Sequence, residues 1–211
     1  DLAVNFGRKV RNLVLSEQYA KVFPGVSLRQ DSKAAGRWAT NKNGEYFAIG
    51  VGGTVTGKGA DLFIVDDPHS EQEAVLAASN PEVFDKVYDW YESGPRQRLQ
   101  PGAAIVVVMT RWGQLDLTAK LVDYQTRNPD ADQWEVVEFP AILDSGKSLW
   151  PEYWKLEELE KIKASISASK WQAQYMQQPT SDAAAVIQRN MWKVWEHEDP
   201  PRCDHAVRIA L

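Results

Sequence analysis

The sequence predicts an α/β layered domain built on a mostly parallel sheet. Three observations predict it: two continuous apolar runs, Leu62-Phe63-Ile64-Val65 and residues 104–109, an apolar helical stripe between them, and a second such stripe after the later run. Continuous runs suit strands buried on both faces of a parallel sheet, and strand-helix-strand-helix order winds such a sheet. At 211 residues and 44% hydrophobic content, the chain has material for one sizeable domain, or one with an appended piece.

Asp1 is a candidate N-cap, and Leu2, Phe6, Val10 and Leu13-Val14 follow at helical spacing, so the chain opens on an amphipathic helix. Residues 45–50 alternate toward a strand. Pro81 suits the first turn of a helix, and Val83-Phe84, Val87 and Trp90-Tyr91 form the apolar stripe behind it. Leu115, Leu117, Leu121 and Val122 mark the helix after the second run, and residues 134–139 read as a short strand. Beyond Pro140 the pattern turns helical over residues 155–163 and 169–178, the latter stopped by Pro179. Residues 180–185 are small and polar enough for a linker, which puts a boundary near 180. Residues 206–211 look like a strand that has just begun, and with no starting methionine both ends look cut, as in a fragment.

The formal charge of -5 and pI near 5.3 give no global attraction for nucleic acid, so any DNA contact must come from a local basic surface or a neighbouring subunit. Cys203 is the only cysteine, which excludes an intrachain disulfide and fits a reducing compartment. The longest plainly apolar run, residues 103–109, is too short to cross a bilayer, and the N-terminus lacks a signal-peptide layout. His69, His197 and His205 have no mutual metal spacing and no cysteines beside them, which argues against zinc. Nine tryptophans favour contacts between subdomains without identifying a ligand.

In an open parallel sheet, ligands gather outside the carboxyl ends of the strands. Asp66-Asp67 sit at such an end: one carboxylate can face a hydrated magnesium ion and the other an attacking water, the division of labour that phosphoryl hydrolysis needs. Asp-Asp-Pro also serves as a turn with solvated acids. The second run delivers Thr110 and Arg111 to the corresponding end, adding a hydroxyl and a guanidinium suited to sensing phosphate. The bland alternative has Thr110 capping a helix and Arg111 pairing with a surface acid. Gly52, Gly57 and Lys58 satisfy most of a P-loop spacing, but Gly59 stands where Ser or Thr should hold magnesium, and a strand rather than a helix follows. That loop is therefore not the primary phosphate cradle; carrying Lys58, it could touch DNA or a neighbour's nucleotide, or be a plain surface connection. Arg96 and Arg98, before a turn, are placed to act in trans, where an arginine can stabilise charge on a transferred phosphoryl group.

Taken in order, residues 52–68 (Gly-Gly-Thr-Val-Thr-Gly-Lys-Gly-Ala-Asp-Leu-Phe-Ile-Val-Asp-Asp-Pro), Asp89-Trp90-Tyr91, Arg98-Leu99, Val108-Met109-Thr110-Arg111-Trp112, Leu149-Trp150-Pro151-Glu152 and Trp171-Gln172-Ala173-Gln174-Tyr175 resemble the large terminase subunit of tailed bacteriophages, over nearly the whole chain. The resemblance implies a partial ASCE-type P-loop (RecA-like) ATPase domain over residues 1–179, a linker over 180–203, and over 204–211 the start of an RNase H-like nuclease that stops before its acidic metal ligand. Asp66 then matches the Walker B magnesium residue, Asp67 the catalytic carboxylate, and Thr110 the coupling motif, while Thr110 and Arg111 would sense nucleotide and Lys58 and Arg98 would assist. The implied cofactors are ATP and Mg2+. The implied partners are double-stranded DNA, a portal protein, a small terminase subunit and sibling subunits in a ring, in the host cytoplasm and transiently on the procapsid portal. The chain departs from the family in lacking the Walker A loop and its strand, and in having Gly113 where most members place His after Thr-Arg-Trp, although Asp116 persists. Two other readings compete: an ATPase-inactive interaction module that docks on portal or small terminase through tryptophan-rich surfaces, and another P-loop nucleic-acid motor such as a helicase.

Overall fold

The computed structural model describes residues 2–180 apart from 56, 58 and 78, and gives residue 81 by its backbone alone. Asp1, the proposed linker beyond residue 180, the strand expected over 206–211, the nuclease start expected over 204–211, Cys203, His197 and His205 lie outside the described residues. Within them the chain is mixed α/β, with two separate sheets.

The first sheet is antiparallel. Helix α1 (Leu2–Val14) and the short α2 (Glu17–Val22) precede β1 (Leu28–Ala34), β2 (Arg37–Thr40) and β3 (Glu45–Phe47), which pair in the order β1-β2-β3. Helix α1 turns Gly7 and Val14 onto this sheet, where Val14, Leu28 and Trp38 form a small buried cluster. Gly7 is needed for the approach: a Cβ there would lie 2.5 Å from both the Ala35 carbonyl oxygen and the Tyr46 ring. The Trp38 indole stacks on Tyr46 at 5.3 Å between ring centres and donates its N–H to the Gly7 carbonyl at 3.1 Å, so the buried polar end of the indole is satisfied.

The second sheet is parallel. Strands β4 (Ala60–Asp66) and β5 (Leu99–Val108) pair in register from Leu62↔Ala104 to Asp66↔Val108. They are separated by α3 (Glu71–Ala77), a 3-10 turn (Pro81–Phe84), α4 (Asp85–Ser93) and a second 3-10 turn (Pro95–Arg98). Helix α5 (Leu117–Arg127) follows β5. Alternate residues of the sheet point at α4 and α5: Val65, Val87, Tyr91, Leu117 and Leu121 form the main core, with Phe63, Ile105, Val107, Met109 and Trp134 packed against it. Full burial of each such aliphatic side chain is worth about 1.5–3 kcal/mol, so this face anchors the domain. An ion pair from Lys120 to Asp85 ties α5 to α4 across the helices.

The expectation of strands buried on both faces is corrected by the exposure of the other face. That face is bare: Leu62 is 55% exposed, Ile64 58%, Val106 42% and Val108 53%. An uninterrupted apolar run reports the chemistry of both faces, while the neighbours present decide how many are covered, and among the described residues helices lie on one side only. The expectation of a mostly parallel sheet is likewise narrowed to a two-stranded parallel pair beside a three-stranded antiparallel sheet. Residues 134–139 are not a strand. Trp134 packs on the core, but Val136, Val137 and Phe139 stay exposed, and the segment pairs with neither sheet.

Downstream, α6 (Leu156–Ser165) and α7 (Ala168–Lys170) bear out the two expected helices, except that the second runs on as a π-helical turn, Trp171–Tyr175. The ring of Trp171 stacks on Tyr175 at 4.8 Å. Among the described residues no helix is long and apolar enough to cross a membrane.

Candidate functional site

The two parallel strands end together, and the residues just past their carboxyl ends meet there. Asp66, the last residue of β4, lies opposite Val108, and its side chain is on the bare face with Leu62 and Ile64. Asp67 follows with φ of 43°, a left-handed conformation that few non-glycine residues adopt and that Asp tolerates better than most. Two hydrogen bonds hold it there: its N–H donates to the Val108 carbonyl at 2.9 Å, and its Oδ1 accepts the Thr110 N–H at 3.4 Å. Backbone held in a sparsely populated region by bonds to a neighbouring strand is a mark of functional sites. Partial burial, and then the charge of Asp67, raise the Asp66 carboxyl above its ordinary value. Neighbouring carboxylates oppose each other's ionisation, and a cation between them would relieve that opposition.

Behind the acids lies a second cluster, centred on Asp116. Its side chain is wholly buried and serves as the N-cap of α5. Oδ1 accepts the Ala119 N–H at 3.0 Å, Oδ2 accepts the Trp112 and Gly113 N–H groups at 3.0 and 3.3 Å, and the Arg111 Nε donates to the same carboxylate at 2.9 Å. The cap is thus Asp116 and not Thr110, and the partner of Arg111 is a buried acid rather than a surface one. The guanidinium of Arg111 is thereby committed to the loop between β5 and α5.

His69 joins the two loops. Its side chain is fully buried, and its Nε2 accepts the Leu117 N–H at 2.9 Å, which places the imidazole proton on Nδ1. That nitrogen lies 3.8 Å from Glu73 Oε2 and has no hydrogen-bond partner. Burial lowers the affinity of the ring for a second proton, against the opposing pull of Asp116 and Glu73. Phe84 meets the imidazole edge-on at 4.7 Å, and a Cβ on Gly113 would come within 3.0 Å of the Phe84 ring. Phe84 therefore occupies the space that a side chain at 113 would need.

The structure thus brings Asp66, Asp67, Thr110 and Arg111 to one edge. It does not bring Arg98 there. Arg98 precedes β5 at the opposite end, where Leu99 pairs with Ala60, and the six-residue rise from Ala60 to Asp66 spans about 20 Å. Arg96, on the same turn, is bidentate with Asp132. Lys58 lies outside the described residues. The glycine loop before it leads into β4 and not into a helix, and it is pinned where the Trp90 indole donates to the Gly53 carbonyl at 3.1 Å.

Among the described residues no three His, Cys, Asp or Glu side chains gather as a metal-holding group. Two adjacent exposed carboxylates still suit Mg2+, which keeps several waters and takes one or two protein carboxylates beside substrate phosphates. Sequence reasoning missed the linking part of His69, whose partner is 48 positions away, and the capping part of Asp116, for which an acidic residue just before an apolar-periodic run was an available signal. Models of known protein families give no match to this chain, and neither do curated proteins.

Proposed function

We propose that this chain is part of a nucleoside-triphosphate-hydrolysing motor of the RecA-like kind, and specifically of the ATPase of a viral DNA-packaging terminase. The observation that carries the reading is the pairing of Asp67, at φ of 43°, with the Thr110 backbone across the carboxyl ends of two parallel strands. In this reading Asp66 holds Mg2+, which when bound neutralises phosphate charge. Asp67 accepts a hydrogen bond from the attacking water and draws its proton, the order of roles that phosphoryl transfer favours. Thr110 fixes the Asp67 carboxylate through its N–H, and its hydroxyl is the group that would sense the phosphate. Arg111 and Asp116 then make the loop between β5 and α5 rigid enough that a change at Thr110 moves α5. No glycine-rich loop among the described residues opens a helix, so the phosphate cradle comes from another segment or subunit. In the motor, double-stranded DNA, a portal protein, a small terminase subunit and sibling subunits in a ring are the partners, in the host cytoplasm and on the procapsid.

The test is hydrolysis by the protein of the complete open reading frame, with Asp67→Asn beside the parent. Loss of turnover with retained nucleotide binding supports the assignment, and parental turnover ends it.

One observation favours a second reading, an interaction module. Trp150 is 58% exposed, Tyr153 64% and Trp154 41%; Trp150 stacks on Tyr153 at 4.9 Å between ring centres, and Tyr153 meets Trp154 edge-on at 5.5 Å. Contiguous exposed aromatics mark contact surfaces. Retained binding to a portal or small terminase with no nucleotide binding would select this alternative.

A further inference from the structure

Charge is distributed unevenly along this chain. Residues 2–47 hold eight Lys or Arg against three Asp or Glu, whereas the chain as a whole is at -5. The segment that folds into α1, α2 and the antiparallel sheet is therefore basic, and the remainder is strongly acidic. A surplus of this kind on one small lobe is the electrostatic footprint of a polyanion-binding surface.

The cations converge at one end of the lobe. Arg11 Nη1 donates to the Lys33 carbonyl at 2.7 Å, Ala34 pairs with Arg37 across the β1–β2 turn, and Gly7, one residue before Arg8 on α1, backs onto Ala35 within that turn. The register shift in β1 between Leu28 and Lys33 pushes residues 29–32 out of the ladder and opens a cleft of about 450 Å³. Arg29, Ser32, Lys33 and Arg37 line it, with Asp31 and Glu45 on the same wall. Asp31 is taken up by Arg29 in a bidentate pair at 2.7 and 3.1 Å, which leaves Lys33 and Arg37 exposed and outside any ion pair among the described residues. The one large apolar side chain in the lining, Trp38, is buried. Protein interfaces deplete lysine and bury an apolar centre, so a polar cleft edged by free cations fits a phosphodiester backbone better than a protein surface.

We propose that this cleft and the β1–β2 turn bind the phosphate backbone of duplex DNA, with Lys33 and Arg37 as the principal contacts and Arg8 and Arg29 beside them. The choice of duplex DNA among polyanions rests on the motor reading above. The contacts assigned are to phosphates, so the binding proposed is independent of sequence and dominated by counterion release.

The test is fluorescence anisotropy of this 211-residue chain with a labelled 30-base-pair duplex, without nucleotide, from 50 to 300 mM NaCl. Each phosphate contact contributes about 0.9 to the slope of log affinity against log salt, so the double variant K33Q/R37Q lowers that slope by about 1.8 and weakens binding tens of fold at 0.1 M salt. The control K147Q/K161Q, exposed lysines elsewhere, leaves both unchanged. Independently of any variant, bound duplex protects Lys33 and not Lys161 from acetylation in the parental protein, which keeps the proposal testable should K33Q/R37Q fold poorly. An unchanged slope in a folded K33Q/R37Q, equal acetylation of Lys33 with and without duplex, or no duplex binding at 50 mM salt overturns it. So does loss of self-association on sedimentation with duplex affinity intact, which would assign the cleft to the acidic surface of a second copy. Because no hydrolysis is read, failure of the motor reading leaves these outcomes untouched, and their failure leaves Asp66 and Asp67 unaffected.

Discussion

Replacing Asp116 by alanine removes the group on which the loop between β5 and α5 is organised. The carboxylate is wholly buried, it accepts from three backbone N–H groups, and it is the ion-pair partner of Arg111, whose side chain is 17% exposed. Breaking a buried pair by deleting one partner costs about 3–5 kcal/mol, because the other charge is left uncompensated. Loss of the N-cap alone costs about 1 kcal/mol and overlaps with that figure, since Ala119 is one of the stranded donors. The expected loss is therefore about 3–5 kcal/mol. With a urea m-value of about 2 kcal/mol/M, the midpoint falls by about 1.5–2.5 M, read from tryptophan fluorescence. Asp116→Asn should cost nearly as much: in either rotamer its amide nitrogen faces a backbone N–H that now meets an oxygen. The comparison is Asp123→Ala, which removes the exposed pair with Arg127 and should cost less than about 0.5 kcal/mol. A loss below about 1 kcal/mol for Asp116→Ala would refute the view that this carboxylate holds the loop and, through it, the Thr110 backbone.

His69 is held below its ordinary pKa of 6.5 in the folded chain, so the unfolded chain binds the extra proton more readily. Its contribution is fully present above about pH 6.5 and is lost as pH falls through the folded value; urea midpoints of parent and His69→Gln, whose amide oxygen can still accept the Leu117 N–H, should converge as pH drops from 7 to 5, and parallel profiles would contradict this. Tyr91 presents the reverse case. Burial pushes its phenol up to about 12, and its hydroxyl has no hydrogen-bond partner. Tyr91→Phe should therefore be neutral or stabilising by up to about 1 kcal/mol, and a clear destabilisation in thermal melts would reveal a partner for that hydroxyl.

Much of the site was legible because its signals are local. The runs Leu62-Phe63-Ile64-Val65 and 104–109 announce strands, and parallel strands bring the residues beyond their carboxyl ends to one edge, so Asp67 and Thr110 belong together on sequence grounds alone, as their 3.4 Å contact bears out. The antiparallel sheet was nearly illegible. Strand β1 reads Leu-Arg-Gln-Asp-Ser-Lys-Ala with its register broken after Leu28, so no alternation survives, and β2 is only four residues long. Val136, Val137 and Phe139 gave a strand signal that the fold does not use, because propensity describes a segment and pairing requires a neighbour. The part of His69 depends on a backbone amide at Leu117 and on Phe84 and Gly113, contacts that exist only after β4, the 3-10 turn and α5 have packed.

The bare face of the parallel sheet bears on any assay of this chain. Leu62, Ile64, Val106 and Val108 form an apolar strip beside Asp66, which a nucleotide site would need covered to exclude water. Hydrolysis is therefore best measured on the complete open reading frame, with the 211-residue chain beside it.

The central claim, that Asp66 and Asp67 serve magnesium-dependent hydrolysis, is tested most directly by turnover of ATP as a function of Mg2+ in parent, Asp66→Asn and Asp67→Asn. Asp66→Asn should raise the Mg2+ concentration for half-maximal turnover at least about ten-fold, and Asp67→Asn should lower kcat at least about a hundred-fold with nucleotide affinity little changed, in keeping with loss of a positioned base. Parental turnover and Mg2+ dependence in both variants would contradict the account.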